Sequence, residues 1–154
     1  MGVRELLNLE GRTALITGAS GGLGLQMARA LGEMGARCAV RPSPDRHDRR
    51  RGERSGRPGR DRHPHQQRAG ARSLAGEWGQ HNITVNCLAS GYIPTRMSQH
   101  TLDTWGEEHL RKQVPLHRIA SPEDLSGIAV LLASEASRHL TGQTIAVDGG
   151  ITVI

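Results

Sequence analysis

The 154-residue chain contains only two cysteines, Cys38 and Cys87, and no apolar run approaching the roughly 18 residues of a membrane-spanning helix. Two cysteines cannot build a disulfide scaffold, so we expect a cytoplasmic protein. The first 20 residues lack the long apolar region of a secretory signal peptide. Hydrophobic residues make up 36% of the chain and 20 residues are glycine. This composition argues against collagen-like, mucin-like and wholly disordered chains and suits one globular domain.

Residues 41–72 contain no leucine, isoleucine, valine, methionine or aromatic residue. They hold 11 arginines and 4 acidic residues, so this basic segment carries a formal charge of +7 while the remainder carries −2. Because it offers almost no apolar surface to offset the entropy cost of ordering, we expect it to be disordered. The chain therefore divides into residues 1–40, the basic segment 41–72, and residues 73–154.

A strand–helix–strand pattern fills residues 1–40. Residues 13–16 form a short apolar run between turn residues, which is typical of a buried parallel strand. Residues 37–40 predict a second strand, and Gly35 is placed to end the intervening helix. Together these segments predict a βαβ unit. The helix is indicated by apolar residues at helical spacing, namely Leu23, Met27, Ala28, Leu31 and Met34.

Residues 73–154 predict further helices and strands of the same α/β domain. Residues 73–80 resemble the end of a helix, and residues 83–88 predict a strand. One helix is expected around residues 101–112. Residues 121–124, with Ser, Pro and an acid three residues after the Ser, predict another helix start. Residues 143–147 predict the last strand, and Asp148 is expected to belong to the turn that follows it.

The turn between the first strand and helix has the sequence Thr17-Gly18-Ala19-Ser20-Gly21-Gly22-Leu23-Gly24. Glycines 18 and 22 allow the backbone to approach a pyrophosphate, and Gly24 allows the helix to pack closely on the strand. The start of the helix would offer free N–H groups and a positive dipole to the phosphates. A purely structural turn is the alternative. The position between a strand and a helix favours nucleotide binding.

The spacing Thr17-Gly18-x-x-x-Gly22-x-Gly24 resembles the cofactor motif of the short-chain dehydrogenase/reductase family. Residues 9–18 resemble the first strand of that family, and residues 74–86 resemble the end of its fifth main helix and the next strand. Residues 90–95 resemble its Pro-Gly segment, and residues 121–124 and 141–150 its C-terminal helix and last strand. These segments follow one another along the chain in the same order as in the family. The chain most resembles the 3-oxoacyl-carrier-protein reductase and gluconate 5-dehydrogenase type.

The resemblance implies an α/β fold: a partial, Rossmann-like, doubly wound parallel sheet that lacks its central strands. It implies NAD or NADP as the cofactor. A basic residue at the end of the second strand favours NADP, but Arg41 also opens the basic segment, so the preference stays open. The resemblance implies these cofactor-binding residues: Thr17, Gly18, Ser20, Gly22, Leu23, Gly24, Ile93 and Thr95. Of these, Ile93 and Thr95 would contact the nicotinamide amide group.

The family's catalytic serine and Tyr-x-x-x-Lys pair have no counterpart in the sequence, so we assign no catalytic residue. The chain has one tyrosine, Tyr92, and one lysine, Lys112. Tyr92-x-x-x-Arg96 imitates the spacing, but Pro94 disfavours a helix there and arginine stays protonated. We therefore expect an NAD(P)-dependent oxidoreductase by resemblance, with impaired or absent activity. The alternative is a non-catalytic nucleotide-binding protein or one that assembles with itself or with family members.

Three explanations compete for the basic segment. It could be an out-of-frame translation beside a large deletion, a solvated linker, or an arm that binds nucleic acid through phosphate contacts. It contains no aromatic residue for base stacking, so specific nucleic-acid binding is not expected. His63 and His65 lack nearby partner ligands, so no metal site is predicted. We also expect no membrane partner.

Overall fold

A computed structural model of the chain describes residues 2–17, 19, 21–41, 64–95 and 98–153. The strands in these ranges are β1 Thr13–Thr17, β2 Arg37–Arg41, β3 Cys87–Ser90 and β4 Thr144–Val147. The helices are α1 Val3–Leu7, α2 Gly22–Glu33, α3 Pro64–Trp78, α4 Gln99–Trp105, α5 Glu107–Lys112 and α6 Ser126–Ala133. None of these helices is long and apolar enough to cross a membrane.

The strands form two separate parallel pairs. Strand β1 pairs with β2, from Thr13 opposite Arg37 to Thr17 opposite Arg41. Strand β3 pairs with β4, from Cys87 opposite Thr144 onward. Within the described ranges no strand bridges the two pairs. This arrangement confirms the predicted parallel α/β architecture.

The core lies between α2, α6 and one face of the β1–β2 pair. Leu9 and Leu31 are buried there together with Val130 of α6. Two residues of β1, Ala14 and Ile16, pack against this cluster from the sheet. Each fully buried leucine contributes about 2 kcal/mol of hydrophobic stabilisation. The core therefore joins the N-terminal βαβ unit to the C-terminal part of the chain.

The opposite face of the β1–β2 pair is uncovered in the described part of the chain. Exposure alternates along β1, and Leu15, which points away from the core, is 72% exposed. Ala39 of β2 is also exposed. Parallel strands are normally covered on both faces. Leu15 is therefore a large apolar side chain that is exposed at the surface of the described structure.

Part of the basic segment is helical, whereas the sequence analysis expects the whole of it to be disordered. Helix α3 begins at Pro64, so residues 64–72 are helical. Proline is favoured in the first turn of a helix, and the Gln, Arg and Ala residues that follow are good helix formers. Ala75, farther along α3, is buried. The absence of large apolar residues therefore does not prevent helix formation over residues 64–72. Residues 42–63 lie outside the described residues.

Three other boundaries differ from the predictions. The helix expected over residues 101–112 is divided between α4 and α5 at Gly106, whose φ of +75° is incompatible with a continuing helix. Strand β3 begins at Cys87 rather than at residue 83, because pairing with β4 begins only there. The predicted helix start at residues 121–124 is a 3₁₀ turn, Pro122–Leu125, which leads into α6. Tight turns of this kind are common at helix ends.

Two leucine truncations test this division between a covered and an uncovered face. Leu31→Ala removes a side chain that is 8% exposed and should lower the free energy of unfolding by about 2–4 kcal/mol. Leu15→Ala removes the same atoms from the uncovered face and should change it by less than about 0.5 kcal/mol. Urea unfolding followed by circular dichroism measures both. Equal losses would contradict the observed packing.

Candidate functional site

The glycine-rich turn connects the end of β1 to the start of α2. Thr17 is the last residue of β1 and is exposed, while Ala19 is only 1% exposed and anchors the turn in the protein. Among the described residues no side chain caps α2 at its N-cap, Gly21. The first N–H groups of a helix have no partner within the helix. They are therefore available to an anion such as a phosphate.

Glycine is required at position 22 by the backbone. Gly22 has a φ of +57°, a left-handed conformation that costs other residues about 1–2 kcal/mol. A Cβ atom built on Gly22 or on Gly21 would meet no atom within 4 Å, so the space beside the turn is open. Gly24 lies in the first turn of α2 and is half-buried. Gly18 and Ser20, the other predicted residues of this turn, lie outside the described residues.

A cavity of about 230 Å³ lies where the start of α2 meets the segment after β3. Leu23 lines it from α2, and Ile93 and Thr95 line it from the segment after β3. The structure therefore brings together three predicted site residues that are about 70 positions apart in the chain. The cavity is completed by Ser90, Gly91, Tyr92 and Ser98.

Close backbone contact fixes the segment after β3. The Gly91 N–H donates to the Val147 carbonyl at 3.0 Å, which extends the β3–β4 pairing by one residue. A Cβ atom on Gly91 would lie 2.7 Å from the Cα of Asp148, so no other residue fits without moving β3 from β4. Ile93 is 4% exposed and anchors the segment. Gly91 therefore has a steric requirement that the sequence analysis did not identify.

Ser98 is a further residue of this cavity that the sequence analysis missed. Its side-chain oxygen donates to the Ile93 carbonyl and accepts the Thr95 N–H at 2.8 Å. Serine and threonine side chains that bond to nearby backbone are common where a helix begins. The Thr-x-x-Ser spacing ahead of α4 is the signal that could have indicated it.

Arg41 lies at the same sheet edge as the glycine-rich turn. It is the last residue of β2 and is paired directly with Thr17, the last residue of β1. Its side chain is exposed. The arrangement places a permanent positive charge beside the turn, at the end where ligands bind to parallel sheets.

Tyr92 lies between two cavities and has no helical backbone. It lines the cavity described above and a second one of about 430 Å³, and its carbonyl accepts the Ala120 N–H at 3.1 Å. Lys112 is absent from both linings and lies near Glu108 on α5, with 3.5 Å between the charged atoms. Arg96, at the imitated lysine position, lies outside the described residues.

The second cavity contains an ion pair between Arg118 and Asp124. Two guanidinium nitrogens of Arg118 donate to the two oxygens of Asp124 at 2.6 and 2.7 Å. The Asp124 carboxylate also accepts the Ser121 N–H at 2.8 Å. These bonds hold the pKa of Asp124 well below its usual range and raise the pKa of Arg118. The charges of Arg118 and Asp124 are therefore paired with each other.

Asp148 stabilises the turn after β4, as the sequence predicted. Its carboxylate accepts the Gly150 N–H at 2.9 Å and the Thr152 hydroxyl at 2.7 Å. The bond from Thr152 is the main cause of a lowered Asp148 pKa. A carboxylate held ionised in this way is a structural group, unsuited to accepting a proton near neutral pH.

Comparison with known proteins identifies the family. The family sequence model described as enoyl-(acyl carrier protein) reductase matches residues 65–152, which is more than half of the chain. The chain therefore belongs to the short-chain dehydrogenase/reductase family. The match begins one residue after the start of α3, so it includes residues 65–72 of the basic segment.

Curated relatives match about half of the chain. A 3-oxoacyl-(acyl-carrier-protein) reductase of Chlamydia pneumoniae is 47% identical over 81 residues, which are 53% of this chain and 32% of that protein. A 2-dehydro-3-deoxy-D-gluconate 5-dehydrogenase of Dickeya dadantii is 46% identical over 80 residues, 51% of this chain and 32% of that protein. The aligned part thus spans about a third of the relatives' length.

Solved structures share the fold. The gluconate 5-dehydrogenase of Burkholderia cenocepacia, solved in complex with NADP and tartrate, has a TM-score of 0.80 and 22% identity. The superposition covers 99% of this chain and 100% of that one. A short-chain dehydrogenase/reductase of Mycobacterium marinum has a TM-score of 0.79 and 22% identity, with the same coverage of both chains. At this level of identity the similarity defines the fold alone.

A pair of glycine substitutions tests the close contact behind the cavity. Gly91→Ala should lower the free energy of unfolding by about 1–3 kcal/mol, because the new Cβ would push β3 from Asp148. Gly127→Ala, at an exposed position in α6 with open space, should instead stabilise by about 0.5–1 kcal/mol. Chemical unfolding of both variants measures the difference. Tolerance of Gly91→Ala would show that the segment is not seated as described.

Proposed function

We propose that this chain binds NADP or NAD at the glycine-rich turn and the cavity beside it, and that it transfers hydride poorly or not at all. The cavity that Leu23 shares with Ile93 and Thr95 is the observation that carries the proposal. It joins the phosphate-binding turn to the segment that the family resemblance implies for the nicotinamide.

The residues present fit one end and the middle of a dinucleotide. The uncapped start of α2 and the open space beside Gly21 and Gly22 suit a pyrophosphate. The cavity is smaller than the pockets of about 300–1,000 Å³ that typically enclose a whole ligand, so only the nicotinamide end would be enclosed. When bound, the nicotinamide supplies the hydride donor or acceptor. The proposed binding residues are Thr17, Gly18, Ser20, Gly22, Leu23, Gly24, Ile93 and Thr95.

Arg41 supports NADP as the preferred cofactor. The charge at the end of β2, opposite Thr17, is placed to pair with the additional phosphate on the adenosine ribose of NADP. That the Burkholderia gluconate 5-dehydrogenase was solved with NADP agrees with this preference.

The arrangement around Tyr92 supports poor catalysis. Carbonyl reduction needs a proton donor beside the carbonyl, and a neighbouring lysine lowers the pKa of a tyrosine toward the working pH. Tyr92 lines the cavity without a lysine, since Lys112 lies near Glu108 on another element. Arg118 also lines a cavity with Tyr92 but is paired with Asp124. No residue of the chain is assigned the role of acid or base.

Ligand titration of the purified chain tests the proposal. Isothermal calorimetry should show binding of NADPH, and Arg41→Ala should weaken NADPH about tenfold or more while leaving NADH unchanged, because a charged phosphate contact is lost. Arg37→Ala, at the other end of β2, is the matched control and should change neither. Absence of binding would contradict the cofactor assignment. Steady oxidation of NADPH by a ketone would contradict the loss of catalysis.

Assembly with another copy or with a longer family member is a second proposal. The uncovered face of the β1–β2 pair exposes Leu15 by 72%, and exposed apolar sheet residues favour association. Light scattering should detect a species larger than a monomer, or co-expression should recover a complex with a longer relative. Leu15→Lys should weaken either, while Val3→Lys, an equally exposed site on α1, should not. A monomer that recovers no relative would contradict this.

A further inference from the structure

We propose that Ser98 is a positioning residue of the nicotinamide end: it holds the Ile93–Thr95 segment in place and orients the Thr95 hydroxyl as a hydrogen-bond acceptor. The inference rests on the proposed function, because it concerns how this cavity recognises its ligand. Ser98 needs no contact with the ligand for this role.

One hydroxyl bonds to the backbone on both sides of Pro94 in this segment. Residues 93 and 94 have no regular secondary structure, and Pro94 has no N–H to donate. The Ser98 oxygen spans the proline, because it donates to the Ile93 carbonyl before it and accepts the Thr95 N–H after it. Backbone bonds from the N–H groups of Ser98 and Gln99 to the Thr95 carbonyl, at 3.1 and 3.0 Å, secure the other side.

Counting protons fixes the direction of the bond between the two hydroxyls. Ser98 has one hydroxyl proton, and the Ile93 carbonyl takes it at 2.5 Å, closer than the alternative Thr95 carbonyl at 3.2 Å. The contact of 3.1 Å between the Thr95 and Ser98 side-chain oxygens therefore uses the Thr95 proton. The Ser98 oxygen accepts that proton and the Thr95 N–H, which occupies both of its lone pairs.

This arrangement leaves Thr95 as an acceptor. Its hydroxyl proton points to Ser98, and one of its lone pairs accepts the Ser98 N–H at 3.3 Å, in a bond that this N–H shares with the Thr95 carbonyl at 3.1 Å. The remaining lone pair is the only hydrogen-bonding capacity that Thr95 can offer to a ligand in the cavity that it lines. A group with N–H donors, such as the carboxamide of a nicotinamide, matches it, whereas a phosphate oxygen does not. Ser98 thus favours the nicotinamide end over the phosphate end at this position.

The test compares a whole cofactor with a ligand that lacks the nicotinamide. Calorimetric titration with NADPH and with adenosine 2′,5′-bisphosphate separates the two ends of the site. Ser98→Ala should weaken NADPH about tenfold, since it removes the hydroxyl that orients the segment, and should leave the bisphosphate unchanged. Ser98→Thr retains the hydroxyl and should restore NADPH binding. Thr95→Val removes the Thr95 hydroxyl, including the lone pair offered to the ligand, and should show the same selective loss as Ser98→Ala.

Ser134→Ala is the matched control, because Ser134 also bonds to nearby backbone, at the Leu131 carbonyl and the Ala136 N–H, but lies outside the cavity. It should change the affinity of neither ligand. Equal loss of both ligands in Ser98→Ala, or no loss in Ser98→Ala and Thr95→Val, would overturn the role of Ser98 while leaving cofactor binding intact. Failure of the unmodified chain to bind either ligand would overturn the proposed function and this inference with it.

Discussion

The packing of α2 against α6 is the interaction on which the rest of the structure depends. Leu31 of α2 and Val130 of α6 belong to one buried cluster with Leu9. Arg12 adds an ion pair with Glu135 and a hydrogen bond to the Ala133 carbonyl. These contacts join the two strand pairs without any strand between them in the described part of the chain. They also set where the start of α2 stands relative to the segment after β3.

That constraint explains how the two halves of the proposed cofactor site come together. The glycine-rich turn is fixed by β1 and α2, and the Ile93–Thr95 segment is fixed by β3, β4 and Ser98. These two sets of contacts share no residue, and the packing of α2 against α6 brings them together at the cavity beside Leu23. The serine and the Tyr-x-x-x-Lys pair that the family resemblance implies for proton transfer have no counterpart in the sequence. We therefore propose that the chain retains cofactor binding more completely than it retains catalysis.

The sequence predicted what depends on short-range pattern. The spacing of apolar residues indicated β1, α2 and β2, and glycine spacing indicated the turn, because both follow from the geometry of single elements. It failed over residues 64–72, where helix-forming Ala, Gln and Arg residues outweigh the lack of apolar side chains. It also missed Gly91 and Ser98. Their importance comes from contacts with Asp148 and with the Ile93 carbonyl, which depend on tertiary structure and on an individual rotamer.

Hydrogen–deuterium exchange with and without NADP is the most direct measurement of the central claim, that two distant segments form one cofactor site. The account predicts slower exchange in residues 21–27 at the start of α2 and, at the same ligand concentration, in residues 91–99. The exposed strand residue Leu15 and the remote helix α5 should show no change. Protection of the glycine-rich turn alone, or of neither segment, would contradict the account.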